Sequence, residues 1–117
     1  MNVSTALFTY GTLMPGHINA HELAGIAGHW VAARVRGRLY PQGWGAAAGY
    51  PGLVLDACAG WVCGQLLISA DLPQHWSRLD AFEGEGYQRV TTVVQGEAGQ
   101  CWQAALYVLV EDPEDFA

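Results

Sequence analysis

The sequence predicts a small α+β domain built mainly from strands, with one or two short helices. Fifteen glycines in 117 residues break the chain into short segments, and several of these alternate apolar and polar residues with the period of two that is typical of half-buried strands. With 51% hydrophobic and 14% charged residues, the composition is typical of a packed core and excludes intrinsic disorder. The length fits one domain over residues 1–117.

Five segments have the composition and alternation of strands. They are residues 6–10, 31–39, 61–68, 87–94 and 101–110. Residues 96–99, with a glycine at each end, predict a hairpin between the last two strands. Residues 41–52 are rich in glycine and proline, contain Trp44 and show no periodicity, so we expect a surface loop there, and long loops often carry function.

The strand at 31–39 is the most amphipathic. Its apolar face carries Val31, Ala33, Val35 and Leu39, and its polar face carries Arg34, Arg36 and Arg38. We interpret the arginine stripe as a solvated outer face, with an anion site as the alternative.

The stronger helix prediction covers residues 71–83. Asp71 can cap it, Pro73 stands in its first turn, and Gly84 ends it. The apolar positions at helical spacing are Leu72, Trp76, Leu79 and Phe82. Residues 17–24 predict a second, shorter helix with less support from their pattern.

Charge and motif content exclude several classes of function. A formal charge of −6 disfavours nucleic acid as a partner, and no segment is apolar and long enough for a signal peptide or a membrane span, so we expect a cytoplasmic protein. Three cysteines, Cys58, Cys63 and Cys101, leave one unpaired in any disulfide scheme, and we expect each to be a small buried residue. His17 and His21 without a third ligand do not predict a metal site.

Glu83 is the most informative single position. It follows Leu79 by four residues and Trp76 by seven, which places its carboxylate on the inward face at the C-terminal end of the helix. Desolvation and the helix dipole there raise the pKa of a carboxyl group, which suits a proton-transfer residue. A structural ion pair with Arg89 is the alternative. Glu85 also lies close in sequence, but off the helical stripe.

The second candidate feature is the turn Tyr10-Gly11-Thr12-Leu13, directly after the first strand. Backbone N–H groups at a glycine turn can bind a carboxylate or a developing oxyanion, although most such turns only connect two elements. Gly11 is expected to have a positive φ.

Together these features resemble the γ-glutamylcyclotransferase family, which includes AIG2-like proteins and γ-glutamylamine cyclotransferases. The resemblance starts at Tyr10-Gly11-Thr12-Leu13 and extends over nearly the whole chain. It continues through Leu79-Asp80-Ala81-Phe82-Glu83-Gly84 and Tyr87-Gln88-Arg89 to Ala105-Leu106-Tyr107-Val108.

The resemblance implies an α+β fold with a mixed, barrel-like sheet around a cavity. It implies cofactor-free conversion of a small γ-glutamyl amine or amino acid to 5-oxoproline and a free amine. It assigns Glu83 as general acid/base, and it assigns Tyr10, Gly11, Thr12, Leu13 and Tyr107 to substrate binding.

Two other classes of function stay open at this point. A binding domain for a γ-glutamyl-like metabolite would keep the cavity without turnover, although a binder does not need an inward carboxylate. A protein-interaction module would need an exposed apolar patch, for which the loop around Trp44 is the candidate. The sequence does not predict the oligomeric state.

Overall fold

The computed structural model describes residues 5–11, 13–16, 20–41 and 51–112. Six strands and two α-helices follow one another along this part of the chain. They are β1 (Ala6–Thr9), α1 (His21–Ala24), β2 (His29–Tyr40), β3 (Gly52–Leu55), β4 (Trp61–Ile68), α2 (Trp76–Glu83), β5 (Tyr87–Gly96) and β6 (Cys101–Leu109). A short 3₁₀ helix, Leu72–Gln74, precedes α2. The hairpin predicted at residues 96–99 is confirmed, and Gly99 has a φ of 87° there.

The strands form one mixed sheet that closes on itself. The order is β3-β2-β4-β1-β6-β5, and β2 also pairs with β5, so β2, β4, β1, β6 and β5 make a five-stranded barrel with β3 attached to β2. The closing seam consists of two residue pairs, Ala33 with Gly96 and Arg34 with Gln95. The predicted α+β class with a small barrel-like sheet is therefore confirmed.

Two apolar layers hold this structure together. The barrel interior is filled by one set of alternate strand residues, among them Phe8, Val35, Leu66 and Leu106. The opposite face of β1, β4 and β6 packs against the helices. That second layer contains Leu7, Leu67, Ala105 and Tyr107 from the strands and Leu23, Leu72, Trp76 and Leu79 from the helical segments. Because the central strands are covered on both faces, they are apolar at almost every position.

The first strand lies at the centre of the sheet. It is antiparallel to β4, with Thr9 opposite Gln65, and parallel to β6, with Leu7 opposite Ala105. The Thr9 hydroxyl donates a hydrogen bond to the carbonyl of Gln65 at 2.9 Å. The end of β1, which leads into the candidate binding turn, is therefore fixed by backbone pairing and by a buried side chain.

The second strand departs from the sequence prediction at its far end. Its pairing with β4 ends at Arg36, and the residues beyond pair only with β3, a strand that the sequence analysis missed by assigning Gly52 to a loop. Leu39 was predicted on the buried face but is 44% exposed, because β2 has left the barrel at that point. Residues 42–50 of the predicted loop lie outside the described residues.

The helical region from 71 to 83 is divided into two parts. His75 separates the 3₁₀ segment from α2, and the Asp71 side chain makes no capping hydrogen bond, so the predicted cap is wrong. Gly84, with a φ of 80°, ends α2 as predicted. Phe82 was predicted on the inward face of the helix but is 38% exposed. At ~100° per residue it lies about 100° around the helix from Glu83, and therefore to the side of the inward face that carries Trp76 and Leu79.

The cysteine prediction is wrong. Cys58, Cys63 and Cys101 are all exposed. Cys63 and Cys101 do lie in strands, but Val62 and Ala104 show that the even-numbered positions of β4 and β6 face the barrel interior. The odd-numbered cysteines consequently face outward. No helix in the described part of the chain is long and apolar enough to cross a membrane.

Candidate active site

Glu83 occupies the last turn of α2, at one end of the barrel. Its side chain is half-buried, on the helix face shared with Trp76 and Leu79. Burial raises the pKa of the Glu83 carboxyl to about 7. A carboxyl group with this pKa exchanges a proton readily near neutral pH, as a general acid/base must. By contrast, Glu85 is exposed, as its position off the helical stripe predicted.

Arg89 pairs with Asp80 and not with Glu83. Its Nε lies 3.0 Å from Asp80 Oδ1, its Nη2 lies 3.3 Å from Asp80 Oδ2, and its guanidinium carbon lies 4.5 Å from the ring centroid of Trp76. Among the described residues, no cation lies within 4.0 Å of the Glu83 carboxylate. The alternative of a structural Glu83–Arg89 ion pair is therefore wrong, since Asp80 takes that role one helical turn earlier.

Two tyrosine hydroxyl groups lie close enough to Glu83 for its charge to affect their pKa values. The Tyr107 hydroxyl donates to Asp80 Oδ1 at 2.6 Å, and the Tyr10 hydroxyl donates to the backbone carbonyl of Tyr107 at 2.6 Å. Burial is the main cause that raises the pKa of both hydroxyl groups, and the nearby charge of Glu83 raises both further. The structure therefore brings Tyr10, Tyr107 and Glu83 together, with both phenols neutral.

The turn after β1 lies against the start of β3. Its Gly11 carbonyl accepts a hydrogen bond from the Met14 amide at 3.1 Å, and a Cβ at Gly11 would lie 3.4 Å from Pro51 Cγ. Gly11 does not have the predicted positive φ; Gly16 does, at 82°. The Leu13 side chain is buried in the apolar layer between the sheet and the helices, so it anchors the turn to the core. Thr12 lies outside the described residues.

Tyr87 and Pro51 complete this end of the barrel, and the sequence analysis gave neither a role. The Tyr87 hydroxyl donates to the Pro51 carbonyl at 2.5 Å, which connects the start of β5 to the segment beside Gly11. Asp80 was also missed as a site residue, although it follows Trp76 by four residues and so shares its helix face. Within the described residues, no three His, Cys, Asp or Glu side chains are arranged to hold a metal ion.

The arrangement combines a proton-exchanging carboxylate, two neutral phenols and a glycine turn. This combination suits acid/base chemistry on a small substrate. A family model described as "Gamma-glutamyl cyclotransferase, AIG2-like" matches residues 7–116. The chain therefore belongs to the gamma-glutamyl cyclotransferase, AIG2-like family.

Solved structures with the same fold include proteins from bacteria and plants. YkqA from Bacillus subtilis is 29% identical with a TM-score of 0.70 over 92% of this chain, which spans only 36% of YkqA. At5g39720.1 from Arabidopsis thaliana is 26% identical and has a TM-score of 0.66. The match covers 96% of this chain and 74% of the Arabidopsis protein. A gamma-glutamyl cyclotransferase is 16% identical, with a TM-score of 0.68 over 93% of this chain and 68% of its own, which shows the fold alone. No curated protein sequence matches the chain significantly.

Proposed function

We propose that this protein is a cofactor-independent cyclotransferase that converts a γ-glutamyl amine or γ-glutamyl amino acid to 5-oxoproline and a free amine. The observation that carries the proposal is Glu83, a half-buried carboxyl group whose pKa burial raises to about 7. The family to which the chain belongs supplies the substrate class.

Glu83 would move two protons, one after the other, from the nucleophilic nitrogen to the leaving nitrogen. The ionised carboxylate first accepts a proton from the substrate's α-ammonium group, and the free amine then attacks the γ-carbonyl carbon. A carbon–nitrogen bond forms to close the five-membered ring, and the original amide carbon–nitrogen bond breaks. The protonated Glu83 gives its proton to the departing nitrogen. The regenerated carboxylate then takes the second proton from the ring nitrogen and passes it to the released amine, which leaves as an ammonium ion, so the step balances without water or a second reactant.

The remaining groups would position the substrate and stabilise charge. Because the attack is intramolecular, most of the barrier reduction comes from holding the substrate in its ring-closing conformation. The turn formed by Tyr10, Gly11, Thr12 and Leu13 would bind the γ-glutamyl group and the developing oxyanion through backbone N–H groups. Tyr107, fixed by its hydrogen bond to Asp80, would form one wall of the site.

The test is product formation by the purified protein. We expect 5-oxoproline, detected by mass spectrometry, from at least one member of a panel of γ-glutamyl dipeptides, γ-glutamylamines and glutathione, with or without a chelator. Measurable binding of a panel member without release of 5-oxoproline would overturn the enzymatic proposal and favour the metabolite-binding domain instead.

The pH profile should report the ionisation of Glu83. With a substrate whose α-amine is protonated, kcat/KM should rise about tenfold per pH unit below pH 7 and level off above it, because only the ionised carboxylate accepts a proton. The check is a profile of initial rates from pH 5 to 9. A profile that is already flat from about pH 5.5 upward, as the ordinary glutamate pKa of 4.5 would give, would contradict the desolvated site described above.

A side chain on the candidate turn should weaken ligand binding. A Cβ at Gly11 would already be in van der Waals contact with Pro51, so the two further methyl groups of Gly11→Val would occupy the space over the turn in which the ligand is proposed to bind. We expect the affinity for 5-oxoproline, measured by calorimetry, to fall about tenfold or more, which corresponds to ~1.4 kcal/mol. Gly60→Val is the matched control, because Gly60 has open space around it and no positive φ. Equal losses in both variants would mean that the turn does not contact the ligand.

A further inference from the structure

A second cleft opens where β2 divides its pairing between two strands. One edge of β2 pairs with β5 at Ala33 and Arg34 and with β3 from Gly37 onward, so β3 and β5 diverge from each other. The cleft between them has a volume of about 520 Å³, within the ~300–1,000 Å³ typical of small-molecule sites. Its walls include Val35, Leu55, Trp61, Val93, Arg36 and Asp56.

This cleft is far from the candidate active site. It lies beside Thr92, Gln95 and Cys101, at the hairpin end of β5 and β6, whereas Tyr87 and Tyr107 lie at the other end of the same strands. The eight residue steps from Tyr87 to Gln95 span up to ~26 Å at ~3.3 Å per residue. A ligand in this cleft would therefore not contact Glu83.

Two arginines have no acidic partner: Arg36, which lines the cleft, and Arg34, which contacts the lining residues Trp61 and Gln95. The guanidinium carbons of Arg34 and Arg36 lie 4.1 and 4.2 Å from the ring centroid of Trp61. The three other arginines of the chain, Arg38, Arg78 and Arg89, each pair with a carboxylate. In the described part of the chain, no carboxylate lies within 4.0 Å of Arg34 or Arg36, even though the chain carries a net charge of −6.

Neutral oxygens hold both guanidinium groups in place. Arg34 donates from Nε and Nη2 to Gln95 Oε1 at 3.2 and 3.0 Å, and Arg36 donates from Nη1 to the carbonyl of Ala59 at 3.1 Å. These bonds fix the positions of the two groups without neutralising them. Two neighbouring positive charges that are already oriented attract an anion strongly.

The carboxylate in the cleft wall does not cancel this field. Asp56 Oδ2 lies 3.3 Å from Arg38 Nε, and Asp56 Oδ1 accepts a hydrogen bond from the Cys58 amide at 2.9 Å. Arg38 also pairs with Asp112 Oδ2 at 2.6 Å, so it offsets the charge of Asp56 only in part. Arg34 and Arg36 together still outnumber the one carboxylate of the cleft wall, which leaves a net positive charge to interact with a ligand.

We propose that this cleft is a second binding site, for a small organic anion with an apolar part next to its charged group. The carboxylate or phosphate of the ligand would lie against Arg36 and Arg34. Its apolar part would pack on Trp61 and on the aliphatic side chains of Leu55 and Val93. The arginine stripe of β2 is then an anion site at its first two arginines and an ion-paired surface at Arg38.

The experiment is an NMR titration of the ¹⁵N-labelled protein with phenylacetate and phenyl phosphate, and with uncharged phenylacetamide as the matched probe. We expect saturable shifts of the Trp61 indole and the Gln95 side-chain amide with at least one anion, and binding of phenylacetamide at least about tenfold weaker. The two anions distinguish a carboxylate ligand from a phosphate ligand.

Two variants test the assignment to the arginines. Arg36→Gln should weaken binding of the anion about tenfold, whereas Arg78→Gln, which removes an arginine paired with Glu22 elsewhere, should leave it unchanged. The proposal is overturned if neither anion gives saturable shifts, if the shifts occur only around Tyr10 and Tyr107, or if phenylacetamide binds as tightly as phenylacetate. An unchanged affinity in a folded Arg36→Gln protein would overturn it as well.

Discussion

Glu83→Gln should lower the turnover of a γ-glutamyl substrate by a factor on the order of 10²–10⁴, while the affinity for 5-oxoproline changes little. Glutamine keeps the size and hydrogen-bonding shape of the side chain but cannot exchange a proton. Steady-state kinetics and calorimetry on the same preparation measure the two quantities. The rise of kcat/KM through pH 7 should disappear from any residual activity.

The same substitution should raise stability at neutral pH. The pKa of Glu83 is about 7 in the folded protein and near 4.5 in the unfolded chain, so between these values the folded state holds a proton that the unfolded state has lost. The free energy of unfolding therefore falls as the pH rises through this window and stays lower above pH 7. Thermal denaturation of Glu83→Gln should show a weaker fall over the same range.

Glu85→Gln is the matched control, because Glu85 is two residues away and exposed. We expect it to keep the activity and the stability profile of the parent protein. A Glu83→Gln protein with normal turnover would remove the proposed mechanism, and loss of turnover in Glu85→Gln alone would transfer the acid/base role to that residue.

Gly64→Ala should be the most destabilising small substitution in the sheet. A Cβ at this position would lie 2.1 Å from the backbone carbonyl oxygen of Thr9 and 2.8 Å from the Phe8 ring, so β1 and β4 would have to separate. Overpacking of this kind costs on the order of 3 kcal/mol, which lowers the melting temperature by roughly 10 °C in a domain of this size.

Gly60→Ala provides the comparison in the same part of the chain. A Cβ at Gly60 has no heavy atom within 4 Å, so we expect a change in stability below about 0.5 kcal/mol. Because Tyr10 and Gly11 directly follow Thr9, Gly64→Ala should also weaken binding of 5-oxoproline at temperatures where the variant is folded. A melting temperature equal to that of Gly60→Ala would contradict the close approach of β1 and β4.

The sequence predicted the elements better than their connections. Alternation and glycine spacing located five of the six strands, and the helix ending at Gly84, because these features depend on neighbouring residues. The strand at Gly52–Leu55 was missed because it is short and follows a glycine-rich segment, and it forms only through pairing with a distant part of β2. Barrel closure through Ala33 and Gly96 is likewise a long-range property without a local signal.

The candidate site was predictable where one helix face defined it. The positions of Trp76, Leu79 and Glu83 on one face followed from helical spacing, and the structure places them there. The partner of Arg89 did not follow, because Asp80 and Glu83 lie on the same side of α2 and spacing alone does not distinguish them. The outward direction of the cysteines was also missed, since it depends on which face of a curved sheet becomes the barrel interior.

The parallel pairing of β1 with β6 has a consequence for how the protein acquires its structure. Leu7 and Ala105 are partners in the sheet although they lie far apart in the sequence, so the centre of the sheet is completed only when β6, the last of the six described strands, has been synthesised. Chain closure over such a distance makes folding slow compared with that of a helical bundle of similar size. During synthesis, β1 and β5 therefore each keep one unpaired edge until β6 arrives, and in that interval the nascent chain is most exposed to aggregation.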